Sequence, residues 1–141
     1  MHSLTLDTTN RDQLAASLED ERWIVACLCA AWCGTCGGYR TAFDEVAARH
    51  PDKTFVWIDI EDQADLVGDL DVENFPTLLL QRGDTVAFFG TTLPDPLLAE
   101  RLVQAQAELA PGELARLANS NQERRDWQRD CNLRTLLDQA G

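Results

Sequence analysis

Residues 23–36 read Trp23-Ile24-Val25-Ala26-Cys27-Leu28-Cys29-Ala30-Ala31-Trp32-Cys33-Gly34-Thr35-Cys36. Trp23 to Ala30 is an unbroken apolar run of strand length, which implies a strand buried on both faces. Cys33 and Cys36 follow at CxxC spacing, and a helix-like stretch from Tyr39 to Arg49 comes next. A CxxC pair where a strand gives way to a helix sets the first sulfur at the helix N-terminus. The unpaired N–H groups and the macrodipole there favour a thiolate. A thiolate attacks disulfides, and the second cysteine is placed to resolve the mixed disulfide that forms. The stretch therefore points to redox chemistry, because a CxxC near a βαβ pattern is a redox signature. Two blander readings stand beside it: a pair of buried thiols, or half of a zinc site.

Working outward, Thr9-Asn10-Arg11-Asp12 has the pattern of a cap before a short helix through Leu18 and Glu19. The helix from Gly34 should end near His50, since Pro51 disfavours helical geometry in the residue before it. Thr54 to Asp59 reads as a second buried strand, and Glu61 to Val67 as a short helix with Gly68 near its end. Thr77 to Gln81 and Thr85 to Phe89 flank Arg82-Gly83-Asp84 and read as a hairpin. Pro94-Asp95-Pro96 starts a helix that runs to about Leu109. The order β-α-β-α-β-β-α, with a leading helix, makes this an α/β chain. Strand–helix–strand implies a parallel pair and the hairpin adds antiparallel strands. The expected architecture is a mixed central sheet of about four strands flanked by helices. Beyond Pro111-Gly112 there is no strand signal. Ser120-Asn121-Gln122-Glu123 is a capping-box pattern opening a last helix, with Leu133, Leu136, Leu137 and Ala140 as its apolar stripe. The chain divides into a domain over residues 1–110 and a C-terminal helical extension over residues 111–141.

With 141 residues, 45% of them hydrophobic, the chain can bury a core without cysteine staples. A net charge of −12 argues against a phosphate-binding surface, and so against nucleic acid. Residues 93–141 carry eight acids and six bases, leaving sixteen of the 24 acids but only six of the 12 bases to residues 1–92. The acidic excess thus lies in the half holding the CxxC. It either selects against acidic partners or simply keeps the surface soluble. Met1 to Asp7 has neither the basic region nor the apolar core of a signal peptide, and no run reaches the roughly 18 apolar residues of a membrane span. The expectation is a cytoplasmic protein, not a membrane one, whose five cysteines are mostly free thiols. There is no Gly-rich phosphate loop, and no cofactor is implied.

Trp32-Cys33-Gly34-Thr35-Cys36, Phe75-Pro76-Thr77-Leu78-Leu79-Leu80 and Gly90 fall in this order on the right elements. Together they make the chain resemble the thioredoxin family over roughly residues 8–109. The resemblance implies a thioredoxin-like fold and a protein-disulfide reductase that works by dithiol–disulfide exchange. Cys33 would be the attacking thiolate and Cys36 the resolving thiol. Trp32, Gly34, Thr35, Phe75, Pro76 and Gly90 would line the surface that receives substrate. Trp32 matches the tryptophan that flanks the disulfide. Pro76 matches the family's cis-proline, beside which the backbone pairs with an extended substrate peptide by strand addition. Gly90 matches a glycine that lets a partner's chain approach closely. The partners implied are disulfide-containing proteins and a separate reductase or small thiol that regenerates the dithiol.

Four departures from the family pattern bear on mechanism. Cys27 stands where the family has a buried aspartate, and Trp57 where it usually has a lysine. Thr35 replaces a frequent proline, and Phe75 a smaller or β-branched residue. Deprotonation of Cys36 would then rely on water, another group or the Cys33 thiolate itself. Cys27 and Cys29 point to one face of their strand, about 6.6 Å apart, a poor geometry for a disulfide. Both read as small hydrophobes, with Cys27 a candidate auxiliary thiol because its aligned position lies beneath Cys36. Four sulfurs spaced C-x-C-x3-C-x2-C also raise a zinc or iron–sulfur site, against which the strand placement of two of them argues. Cys131 reads as inert packing, and Tyr39 and Arg40 as a solvated helix face. The alternative function is a thioredoxin-fold adaptor or chaperone holding a partner noncovalently through the Pro76 groove and the C-terminal tail.

Overall fold

A computed structural model describes residues 3–30, 34–67, 70, 76–91 and 95–140. In chain order the elements are β1 (Leu4–Thr5), α1 (Arg11–Glu19), β2 (Trp23–Cys29), α2 (Gly34–Arg49), β3 (Thr54–Asp59) and α3 (Ala64–Val67). They continue with β4 (Thr77–Arg82), β5 (Thr85–Thr91), α4 (Pro96–Ala107), α5 (Pro111–Ala118), α6 (Gln122–Asp130) and α7 (Leu133–Ala140). The sheet runs β1-β3-β2-β4-β5, with β1 and β2 parallel to β3, and β4 and β5 antiparallel to their neighbours. Among the described residues it has five strands rather than about four. The added one, β1, pairs Leu4 with Val56 and Thr5 with Trp57, and two residues are too few to carry an alternation pattern.

All seven residues of β2 are buried, as its apolar run requires, because strands flank it on both sides and both faces are covered. Alternate residues feed two cores. Trp23, Val25, Cys27 and Cys29 join Tyr39 and Phe43 of α2, Ala99 and Val103 of α4, and Leu114 of α5. Ile24, Ala26 and Leu28 join Leu14 and Leu18 of α1, Leu66 and Val67 of α3, and Leu133 of α7. The hairpin turns at Gly83-Asp84, with Gly83 at φ 57°, the left-handed conformation that glycine adopts without strain. Asp95 caps α4 by accepting from the Leu97 N–H at 2.9 Å.

The C-terminal residues fold as three helices. The single last helix expected from Ser120 is broken at Cys131-Asn132, and its cap is Asn121, whose Oδ1 accepts from the Arg124 N–H at 2.8 Å. The break has a polar cause. Gln81, fully buried on β4, donates from Nε2 to Asn132 Oδ1 and to the Gly83 carbonyl, each at 2.8 Å. Its Oε1 accepts from the Leu133 N–H at 2.8 Å. Asn132 in turn donates to the Asp84 carbonyl at 2.9 Å and accepts from the Arg134 N–H at 3.0 Å. A continuous helix would have spent these backbone groups on itself. Gln128 of α6 covers the free edge of β5, accepting from the Val86 N–H at 2.7 Å and donating to its carbonyl at 2.8 Å. This is the bonding a neighbouring strand would make, so one register of an exposed edge is blocked.

Candidate redox site

Strand order gathers the candidate residues at one end of the sheet. Because β4 runs antiparallel to β2, its first residue, Thr77, lies beside Leu28 near the end of β2. Because β5 runs back again, Thr91 lies beside Thr77 and Gly90 beside Leu78. Buried Pro76, Gly90, Cys29 and the start of α2 therefore share one edge of the fold. Trp32, Cys33 and Phe75 lie outside the described residues, as does the Thr35 side chain. Gly34 is exposed. A Cβ on Gly90 would meet the Phe88 ring at 3.2 Å, so packing within the chain already favours glycine there.

Cys36 sits in the first turn of α2 and is only 2% exposed. Its sulfur forms a disulfide with Cys29, seven residues upstream, with Cα atoms 5.8 Å apart. This corrects the view of Cys29 as a small hydrophobe. Cys27 is free and buried, its Sγ 3.8 Å from that of Cys29. The disulfide leaves Cys29 without a proton, so the Cys27 S–H is the donor in that contact. Burial pushes the Cys27 thiol well above its ordinary range, and the opposing pull of Arg40 is smaller, so Cys27 stays protonated at neutral pH.

Cys27 is in register with Trp57 on β3, so the two positions where the family pattern has its aspartate and lysine are strand neighbours here. A cation is still supplied, from a different element. The Arg40 guanidinium lies 4.8 Å over the Trp57 ring, donates to Thr5 Oγ1 at 2.9 Å and stands 3.6 Å from Asp44. Ser3 donates to the same Asp44 carboxylate. Tyr39 is 2% exposed, and its hydroxyl has no hydrogen-bond partner among the described residues. Burial pushes the phenol up, and Cys27 and Asp95 act in the same direction. The solvated face expected at Tyr39 and Arg40 is instead a buried phenol and an engaged arginine. Helical spacing explains the miss: position 39 lies three residues after Cys36 and four before Phe43, so it falls on the inward face.

The fold has clear relatives. A family model, Thioredoxin, matches residues 4–102. The chain belongs to the thioredoxin family. It is 28% identical over 106 residues to putative thioredoxin 2 of Streptomyces coelicolor, covering 74% of this chain and 76% of that protein. It is 31% identical over 83 residues to thioredoxin H-type 2 of Nicotiana tabacum, covering 58% of this chain and 70% of that one. Among solved structures, a mutant thioredoxin from Halobacterium salinarum superposes with a TM-score of 0.65 at 23% identity, over 78% of this chain and 95% of that one. A thioredoxin f2 solved in complex with ferredoxin:thioredoxin reductase gives 0.64 at 16% identity, over 76% and 96%. With the family comes its class of activity, disulfide reduction by a thiol–disulfide oxidoreductase. Among the described residues, no helix is long and apolar enough to cross a membrane.

Cys29 is the site residue that the sequence alone did not single out. Its parity with Cys27 put both sulfurs on the correct face. The missing signal was depth: Cys29 is the last residue of β2 and so lies nearer the start of α2 than Cys27 does.

Proposed function

We propose that this protein reduces protein disulfides through Cys33 and Cys36, with Cys33 attacking and Cys36 resolving. What carries the reading is the position of Cys36: a buried sulfur in the first turn of α2, already engaged in disulfide bonding. α2 begins at Gly34, one residue after Cys33, so the free N–H groups and dipole of that helix act on a thiolate there. The Cys33 thiolate attacks one sulfur of the substrate disulfide and expels the other as a thiolate. Cys36 then attacks Cys33 and releases the second substrate sulfur, which leaves with the Cys36 proton. Cys27, held protonated, does not serve as the base that an aspartate would be. The proton passes to the departing thiolate directly or through water.

Substrate would dock as an extended peptide across the end of the sheet where Pro76 and Gly90 meet the start of α2. Trp32, Thr35 and Phe75 would complete that surface, and Cys27 would act from beneath as an auxiliary thiol. The electron donor is a separate reductase, of the sort that binds thioredoxin f2, or a small thiol. The setting is the reducing cytoplasm. The test is reduction of a protein disulfide such as insulin's, with dithiothreitol as donor. Cys33→Ser should bring the rate down to the uncatalysed one, and Cys36→Ser should accumulate mixed disulfides on a non-reducing gel. Full activity in Cys33→Ser, with equal noncovalent capture of partners by both forms, would instead establish the adaptor reading.

A further inference from the structure

We propose that Cys29 is a third redox-active cysteine, which takes Cys36 from Cys33 and stores the oxidised state of the site inside the protein. The inference rests on the assignment of Cys33 and Cys36 only for the exchange step. The Cys29–Cys36 bond itself stands on the structure.

The Cα separation of 5.8 Å lies within the usual disulfide range of about 4.4–6.8 Å, so the end of β2 and the first turn of α2 accept this bridge as they stand. Cys36 thus has a partner on the strand besides the Cys33 that the proposed function assigns to it. Cys27 is free, its Sγ 3.8 Å from that of Cys29. Its S–H donates to the Cys29 sulfur, and a donor there stabilises negative charge on Cys29 when that residue is reduced. Cys27 is in this sense a positioning residue. Cys131 belongs to the opposite core and is buried, its thiol pushed up to about 12 by burial, so it does not compete.

In the exchange, the Cys29 thiolate attacks the Cys36 sulfur of a Cys33–Cys36 disulfide. The Cys29–Cys36 bond forms, the Cys33–Cys36 bond breaks and Cys33 departs as the thiolate. The proton given up by Cys29 goes to water. No electrons enter or leave, so the protein remains two-electron oxidised and no external oxidant is needed beyond the substrate disulfide already reduced. The oxidised protein then carries a nucleophilic Cys33 without its resolving thiol. A mixed disulfide formed in that state persists until Cys36 is released, and the enzyme becomes a covalent holder of its substrate.

The experiment is disulfide mapping of oxidised wild type and Cys33→Ser. Both are treated with diamide, alkylated without denaturant and cut with chymotrypsin. Cleavage after Leu28 and Trp32 puts Cys27, Cys29 and Cys36 in separate peptides. The expected result is a reversible Cys29–Cys36 link in Cys33→Ser, lost in Cys33→Ser/Cys29→Ser, with Cys33 the alkylated residue in oxidised wild type. Absence of that link, a Cys27–Cys36 link in its place, or oxidised wild type in which Cys33 resists alkylation overturns the proposal. Each of these leaves the reductase reading intact. Full insulin reduction by Cys33→Ser would remove the reductase reading and leave the internal bridge standing. If Cys33→Ser does not fold, the wild-type alkylation pattern decides alone.

Discussion

The two faces of the central sheet are made by the same strands and do different work. On one, Trp23, Val25, Cys27 and Cys29 lie beneath α2 and α4, and three sulfurs meet where β2 ends and α2 begins. On the other, Ile24, Ala26 and Leu28 lie among the aliphatic side chains of α1, α3 and α7, and Cys131 in that core is free. Chemistry is concentrated on the first face. The second holds the chain together, and it needs residues beyond the family match at 4–102 to do so, because Leu133 of α7 is completely buried there. Damage to the second face should therefore cost stability and spare exchange.

The largest effect is expected from Leu133→Ala. Removing a fully buried leucine forfeits its transfer energy and leaves a cavity, typically about 2–5 kcal/mol together. Denaturant midpoints should fall accordingly, while the disulfide-reduction rate of the protein that remains folded is unchanged. A lost rate at intact stability would break the division between the faces.

Gln81→Leu is the next test. It strips partners from the Leu133 N–H, from Asn132 and from the Gly83 carbonyl, all beside a buried site. Asn132 Oδ1 keeps its bond from the Arg134 N–H, a buried polar group left unpaired costs about 1–3 kcal/mol, and the apolar packing of leucine offsets part of that loss. A clear loss in the denaturation midpoint is expected, smaller than that of Leu133→Ala. A neutral result would mean that α7 is held by its apolar stripe alone.

Gln81 also separates what local sequence encodes from what only the packed chain reveals. The strand–helix–strand start, the hairpin and the helix from Pro96 were legible because each is carried by a local signal: an apolar run, a turn glycine at Gly83, a proline and an Asp95 cap. The tail was not. Its helix break depends on Gln81, 51 residues away from Asn132 in the chain, and no local pattern announces such a bond. Leu133, Leu136 and Leu137 were legible as an apolar stripe, but not the core they would join. At the site, the C-x-C parity on β2 placed both sulfurs correctly, whereas the choice of Cys29 over Cys27 as the partner of Cys36 was set by how the end of β2 meets α2. Arg40 followed the same logic: the missing strand lysine was visible, and the helix arginine over Trp57 required the packed structure.

The smallest effect is expected from Arg11→Gln, which removes a charge from the stabilising face. Arg11, at the start of α1, grips Asp65 of α3 with two hydrogen bonds of 2.8 and 2.9 Å and donates to Gln63 Oε1 at 2.7 and 3.1 Å. The bond from Arg11 holds the Asp65 carboxyl below its ordinary value, against a desolvation effect that raises it. A carboxyl whose folded pKa is depressed stabilises the protein above its unfolded pKa of about 4, and that contribution is lost as pH falls through the lower folded value. Wild type should therefore exceed Arg11→Gln in denaturant midpoint by a constant small margin at neutral pH. Below about pH 4 the margin should narrow to what the Gln63 contact supplies. Disulfide-reduction rates should be equal for the two proteins throughout. A margin that ignores pH would show that Arg11 acts through Gln63 rather than Asp65. A rate difference at neutral pH would mean that the α1–α3 side of the sheet reaches the sulfurs after all.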